Sequence, residues 1–157
     1  MARYASETAV SVEKSRGEIE AILRRYKAEA FYYMTDKRGA VVGFMIAERR
    51  VQFNLPLPDP TAREFTHTPA KGIARSAAEA EKAWEQACRQ RWRALALVIK
   101  AKLEAVSAGI TTTEDEFLAH TMLPSGVNVG EWAKPQLDEA YRIGAMPTSL
   151  LIEGPKS

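Results

Sequence analysis

The chain has a single cysteine, Cys88, so no internal disulfide can staple it and its stability has to come from packing. One unpaired cysteine also fits a reducing compartment. The only two histidines, His67 and His120, have no Cys or His near them in sequence, and neither is expected to hold a metal. No apolar run approaches the roughly 20 residues that a membrane-spanning helix needs. Met1-Ala2-Arg3-Tyr4 runs into polar residues rather than the apolar stretch of a secretion signal. A Gly-rich phosphate loop, a Cys- or His-rich metal cluster and a Gly-x-Ser-x-Gly elbow are missing too. Together these absences point to a cytoplasmic protein with no membrane contact, no cofactor and no expected enzymatic chemistry.

What is present is an ordinary globular composition, 46% hydrophobic and 27% charged over 157 residues. That length suits one domain, 1–157, with flexible ends at 1–10 and 146–157. The net charge of +2 hides an asymmetry. Residues 1–112 carry 19 Lys and Arg against 13 Asp and Glu, whereas residues 113–157 carry 3 against 7. A basic body with an acidic end implies either an anionic partner or head-to-tail packing between copies, where it is more than solvated surface.

The expected fold class is α+β. Ser15 and Glu18 have capping-box spacing, and Ile19, Ile22, Leu23 and Tyr26 form one apolar stripe, so a first helix is expected over about Val12 to Lys27. Aromatic-rich Ala30 to Met34, then Ala40 to Ile46, then alternating Arg50 to Leu55 read as a three-stranded antiparallel meander with turns at 35–39 and 47–49. Pro56, Pro58 and Pro60 end the sheet, and residues 56–75 read as a long loop, mobile or in contact with a partner. Ser76 to Ala108, stopped by Gly109, reads as a long amphipathic helix. Its stripe of Trp84, Cys88, Trp92, Leu95, Ile99, Leu103 and Val106 covers an arc of roughly 100°. Thr113 with Glu116 starts a short helix, residues 121–129 suggest a small hairpin, and Glu131 to Ile143 a final helix ended by Gly144.

Candidate function lies in basic surface. Lys82, Arg89, Arg93 and Lys100 fall within about 40° of one another on the long helix, away from its apolar arc. Such a ridge can track successive phosphates, although a solvated face paired with acids such as Glu85 has the same pattern. Lys37 and Arg38 in one turn and Arg49 and Arg50 in the next lie at opposite ends of the middle strand. Only one of Tyr32 and Tyr33 can face the core, so the pair supplies a stacking ring for a base, assigned to Tyr33. Cys88, on the apolar stripe, reads as an inert core residue.

The run Arg89-Gln90-Arg91-Trp92-Arg93-Ala94-Leu95, continuing through Ile99-Lys100-Ala101-Lys102-Leu103, resembles an uncharacterised family of phage and prophage proteins. Arg49-Arg50-Val51 to Leu57-Pro58 and Leu123-Pro124-Ser125-Gly126 are similar to that family as well. The resemblance implies an origin in a mobile element and supplies no activity. The order of elements also resembles, more loosely, phage single-strand annealing proteins of the Erf, Redβ and Sak group. Those pack a long helix on a short meander, hold DNA in a basic groove and form rings or filaments. The expected function is therefore nucleic-acid binding, single-stranded DNA favoured, in phage recombination or replication, with homo-oligomers. One alternative is an adaptor or inhibitor acting on a host defence protein through the acidic end and the long loop. Another is a metal-dependent nuclease: helix, three strands, helix also opens the PD-(D/E)XK core. Its nearest match is Asp36, then Glu48-Arg49-Arg50, with Glu18 or Glu20. Arginine is a poor substitute for the titrating lysine of that site.

Overall fold

Ser11, not Ser15, begins the first helix. Its side chain accepts the backbone N–H of Lys14 at 3.1 Å, and helix α1 runs Val12–Arg25. The expected capping box is corrected here: Ser15 sits one turn inside, fully buried on the stripe with Ile19 and Leu23. The computed structural model describes residues 8–147. Of the two ends expected to be flexible, residues 1–7 and 148–157 lie outside the described residues. Thr8 itself is fastened, its carbonyl accepting the Gln86 side-chain amide at 2.9 Å.

Three antiparallel strands follow in the order β1 (Ala30–Thr35), β2 (Gly39–Ile46), β3 (Arg49–Pro56), the expected meander. Pairing of Phe31 with Phe44, Tyr33 with Val42 and Ala40 with Leu55 places one residue set on the helix side. There Ala40, Val42, Phe44, Ile46, Val51 and Phe53 are buried. The opposite set, including Tyr32, Val41, Gly43, Gln52 and Asn54, forms the outer face.

The expected loop after the sheet is more ordered than its prolines implied. It holds a short helix α2 (Arg63–Thr66) that buries Phe65, and the Arg75 guanidinium donates to the carbonyls of Glu64 and Phe65. Helix α3 (Ala77–Ser107) is opened by a capping box between Ser76 and Glu79. Its 31 residues extend roughly 46 Å at about 1.5 Å per residue. Cys88, Trp92, Leu95, Ile99 and Leu103 bury the sheet's apolar face, as the stripe predicts. A second contact was not read from the sequence. Helix α1 lies along α3 in the same direction: Thr8 meets Gln86, Glu18 meets Arg93, and Arg25 and Lys100 line one groove.

The C-terminal part comprises α4 (Thr113–Glu116), a 3-10 turn at Leu118–His120, and α5 (Val129–Ile143). Phe117 closes the core edge-on to Phe44 and Phe53, at centroid distances of 5.5 and 6.1 Å. The expected hairpin at 121–129 reduces to a bridge between Met122 and Asn128, while Thr121 bridges outward to Val51 of β3. Helix α5 ends at Gly144 in the left-handed conformation, φ 68°, as expected.

Candidate nucleic-acid interface

The outer face of the sheet is built in three cross-strand rows. At one end Met34, Val41 and Asn54 floor a basin of about 530 Å³ with Arg38 on its rim. In the middle row Tyr32 lies across β2. A Cβ on Gly43 would stand 2.0 Å from the tyrosine ring, so only glycine lets the ring settle there. Beyond Gly43 the Tyr32 hydroxyl donates to Gln52 Oε1 at 3.0 Å, and the Gln52 amide reaches Asn54 at 3.4 Å. The third row ends on Arg50, opposite Met45. The Tyr32 ring is pinned at its tip, rests over the Gly43 backbone and is half-buried. Six residues of strand, roughly 20 Å, separate the Arg38 end from Arg50. Lys37, Arg38 and Arg50 make no ion pair among the described residues. The turn before β2 is rigid, because Asp36 accepts the backbone N–H groups of Arg38 and Gly39 at 2.7 and 3.1 Å.

Tyr33, the ring assigned to stacking from the sequence, points to the other side. It lies with Phe31 on the helix face, 46% exposed at the rim, and the Arg16 guanidinium sits 4.5 Å over its centroid. Arg16 also reaches Trp92, so one face of Tyr33 is already taken. Arg49 is tied to Glu114 at 3.5 Å, which separates it from its neighbour Arg50.

Of the basic ridge of α3, Arg89 and Arg93 are half-buried, whereas Lys82 and Lys100 are exposed. Arg93 is ion-paired with Glu18, Arg89 donates twice to Gln86, and Lys100 lies 3.9 Å from Glu104. Lys82 stands apart near the helix start, exposed. Between α1 and α3 a groove of about 300 Å³ has an apolar floor of Ala21, Ile22, Ala96 and Leu97, with Arg25, Arg93 and Lys100 around it. Arg25 was not singled out from the sequence. The signal was there, because it closes the same turn as Ile22, but it needs the α1–α3 pairing to be read.

The nuclease constellation does not assemble. Asp36 and Glu48 occupy turns at opposite ends of β2, Glu18 is held by Arg93, and Glu20 pairs with Arg24. Among the described residues no three His, Cys, Asp or Glu side chains cluster to hold a metal ion. His120 stacks on Phe53 at 4.0 Å, and burial, with Lys102 and Lys134 nearby, lowers its pKa below the usual histidine value. Burial raises the Cys88 thiol, helped by Glu85, so the thiol stays protonated and unreactive at neutral pH. No helix among the described residues is long and apolar enough to cross a membrane.

Comparison with protein-family models, with curated proteins and with solved structures returned no significant match.

Proposed function

We propose that the chain binds nucleic acid, with single-stranded DNA favoured, on the outer face of its sheet. One observation carries this reading: a tyrosine ring packed over Gly43 between unpaired arginines at the two ends of the face. A flexible polyanion needs cations that are not already neutralised, and bases need an aromatic ring to stack on. The sheet offers both. The α3 ridge offers less, since Arg93 is ion-paired with Glu18 and the Arg89 guanidinium is held by the Gln86 side chain. Duplex DNA has its bases stacked inside and cannot use the ring, which is why a single strand is favoured. In the setting that the phage likeness implies, recombination or replication, the protein acts by holding a strand and no covalent step is required.

The test is binding of labelled single- and double-stranded DNA at low and moderate salt. Tyr32→Ala removes one stacked base, worth about 1–3 kcal/mol, and weakens single-strand binding accordingly. Arg38→Glu with Arg50→Glu removes two phosphate contacts and lowers the salt slope by about 1.4. Arg89→Glu with Arg93→Glu leaves single-strand affinity within a few-fold. No binding by the wild-type protein at low salt overturns the proposal. Loss in the α3 pair with binding intact in the sheet variants moves the site to the ridge.

A further inference from the structure

Apolar exposure in this protein is concentrated at one end. Of the twelve large hydrophobic side chains exposed among the described residues, eight lie from Ile110 onward, including Trp132, Leu137, Tyr141 and Ile143 of α5. Tyr141 is 88% exposed, and no residue of α5 is buried. The helix is nonetheless amphipathic: on a wheel its apolar positions from Trp132 round to Tyr141 fill about half the circumference. Its own body touches it chiefly through the 3-10 turn. An amphipathic helix with its apolar side uncovered marks a contact surface.

Charge says what covers it. Residues 113–147 hold six acids against two bases. Glu114 and Glu116 are matched within the chain by Arg49 and Lys102. Asp115, Glu131 and Asp138 meet no cation among the described residues. The α1–α3 groove is the reverse surface, an apolar floor with Arg25 and Lys100 on its edge, while Arg93 is ion-paired with Glu18, the only acid among its lining residues. One chain therefore carries both an acidic apolar helix and a basic apolar groove.

We infer that α5 of one copy docks into the α1–α3 groove of a second copy. Leu137 and Tyr141, one turn apart, set on Ala21, Ile22, Ala96 and Leu97. Asp138 and Glu131, on the neighbouring edge of α5, face Arg25 and Lys100. Lys134, the cation of that edge, comes to the wall where Glu18 already pairs with Arg93 and shares that carboxylate. The contact joins two different surfaces, so a docked pair leaves one helix and one groove open. Assembly then continues into a closed ring or an open filament.

Mixing two broken variants tests this directly, with mass read by light scattering on a sizing column. Leu137→Asp/Tyr141→Asp breaks the helix side only, and Arg25→Glu/Lys100→Glu breaks the groove side only. All four residues are exposed, and circular dichroism checks that each variant keeps the wild-type fold. Wild-type protein is expected to give masses above the monomer that fall as salt rises. Each variant alone is expected to be monomeric, and an equimolar mixture to give a discrete dimer, since one intact helix meets one intact groove. A wild-type protein that stays monomeric at high micromolar concentration overturns the inference. So does a groove variant that still associates, because that would make the contact a symmetric one between α5 helices. Docking of this kind leaves the outer face of the sheet uncovered, so the helix variant retains DNA binding and failure of either proposal is seen separately.

Discussion

Ser15 is the residue whose placement most changes what a substitution should do. Its hydroxyl is fully buried among apolar side chains and has no hydrogen-bond partner among the described residues. A buried hydroxyl without a partner costs about 1–3 kcal/mol of desolvation. Ser15→Ala removes that cost while keeping the helix, so it is expected to raise the unfolding free energy by about 1 kcal/mol, read from denaturant titrations. The same substitution at Ser11, the true cap, should destabilise by a similar amount, about 1 kcal/mol. Sequence spacing alone could not separate the two serines, because both precede an apolar stripe and Ser15 has the glutamate three residues on. Glu18 was the misleading half of the pattern; its carboxylate is held by Arg93 on another helix. His120 carries a prediction about pH. Its folded pKa lies below its unfolded value of 6.5, so the unfolded chain binds the proton more readily. The stability it contributes is fully present above that value and is lost as pH falls from about 6.5 towards the folded pKa. A melting series from pH 7.5 to 5.5 is expected to show this decline in the wild-type protein. His120→Phe, which keeps the ring on Phe53, should flatten it.

At the scale of elements, the turn between β2 and β3 is the strained one. Ala47 and Glu48 both have positive φ, 48° and 60°, the pair of left-handed residues that a tight two-residue hairpin demands. Asparagine and glycine adopt that shape readily, whereas alanine and glutamate do so at a cost of order 1 kcal/mol each. Ala47→Asn with Glu48→Gly is therefore expected to stabilise the protein by about 1 kcal/mol or more, measured by chemical denaturation. The strands themselves were legible because alternation of Val51, Phe53 and Leu55 with polar residues fixes a face. The turn was less so: Ala-Glu-Arg contains no turn-forming residue, and the shape is imposed by the strands on either side. Tyr32 and Tyr33 show the same limit. Their alternation was plain, but which of them lies outward depends on register, and register is set by Gly43 opposite Tyr32. The short helix α2 escaped notice since four residues give no period to read, and its anchor Phe65 stands alone among prolines and polar residues.

At the scale of the whole molecule the protein has two tiers. The sheet, α1 and α3 share one core, with Trp92, Phe44, Ile99 and Leu103 at 0–1% exposure. Helix α5 contributes nothing buried and has Pro135 inside it, which removes one helical hydrogen bond. Amide exchange is expected to be slowest in β2 and the middle of α3, and faster by orders of magnitude in α5 of the monomer. Equal protection in both would show that α5 is held by contacts outside this fold. The broad architecture was legible because α3 is long, periodic and well capped, and because proline and glycine punctuate the strands. The function-bearing surfaces were not, since each needs two elements brought together. Arg93 on the α3 ridge looked open only while α1 had no position, and the acidic end looked uncommitted until Arg49 and Lys102 were seen to bind part of it.

The parallel placement of α1 and α3 on the same side of the meander carries a consequence for how the chain is made. On the ribosome, α1 and all three strands emerge before the first turn of α3. Until then the nascent meander has an apolar face, Val42, Phe44, Val51 and Phe53, with only α1 to set against it. Most of the cover arrives late, on thirty-one residues whose buried positions are spread from Cys88 to Leu103, and Phe117 closes the core only after them. Half of α3 cannot close half of the core. A nascent chain that ends before Leu103 is therefore expected to leave that face exposed, and protease protection of stalled chains of increasing length is expected to appear only once α3 and Phe117 have cleared the exit tunnel.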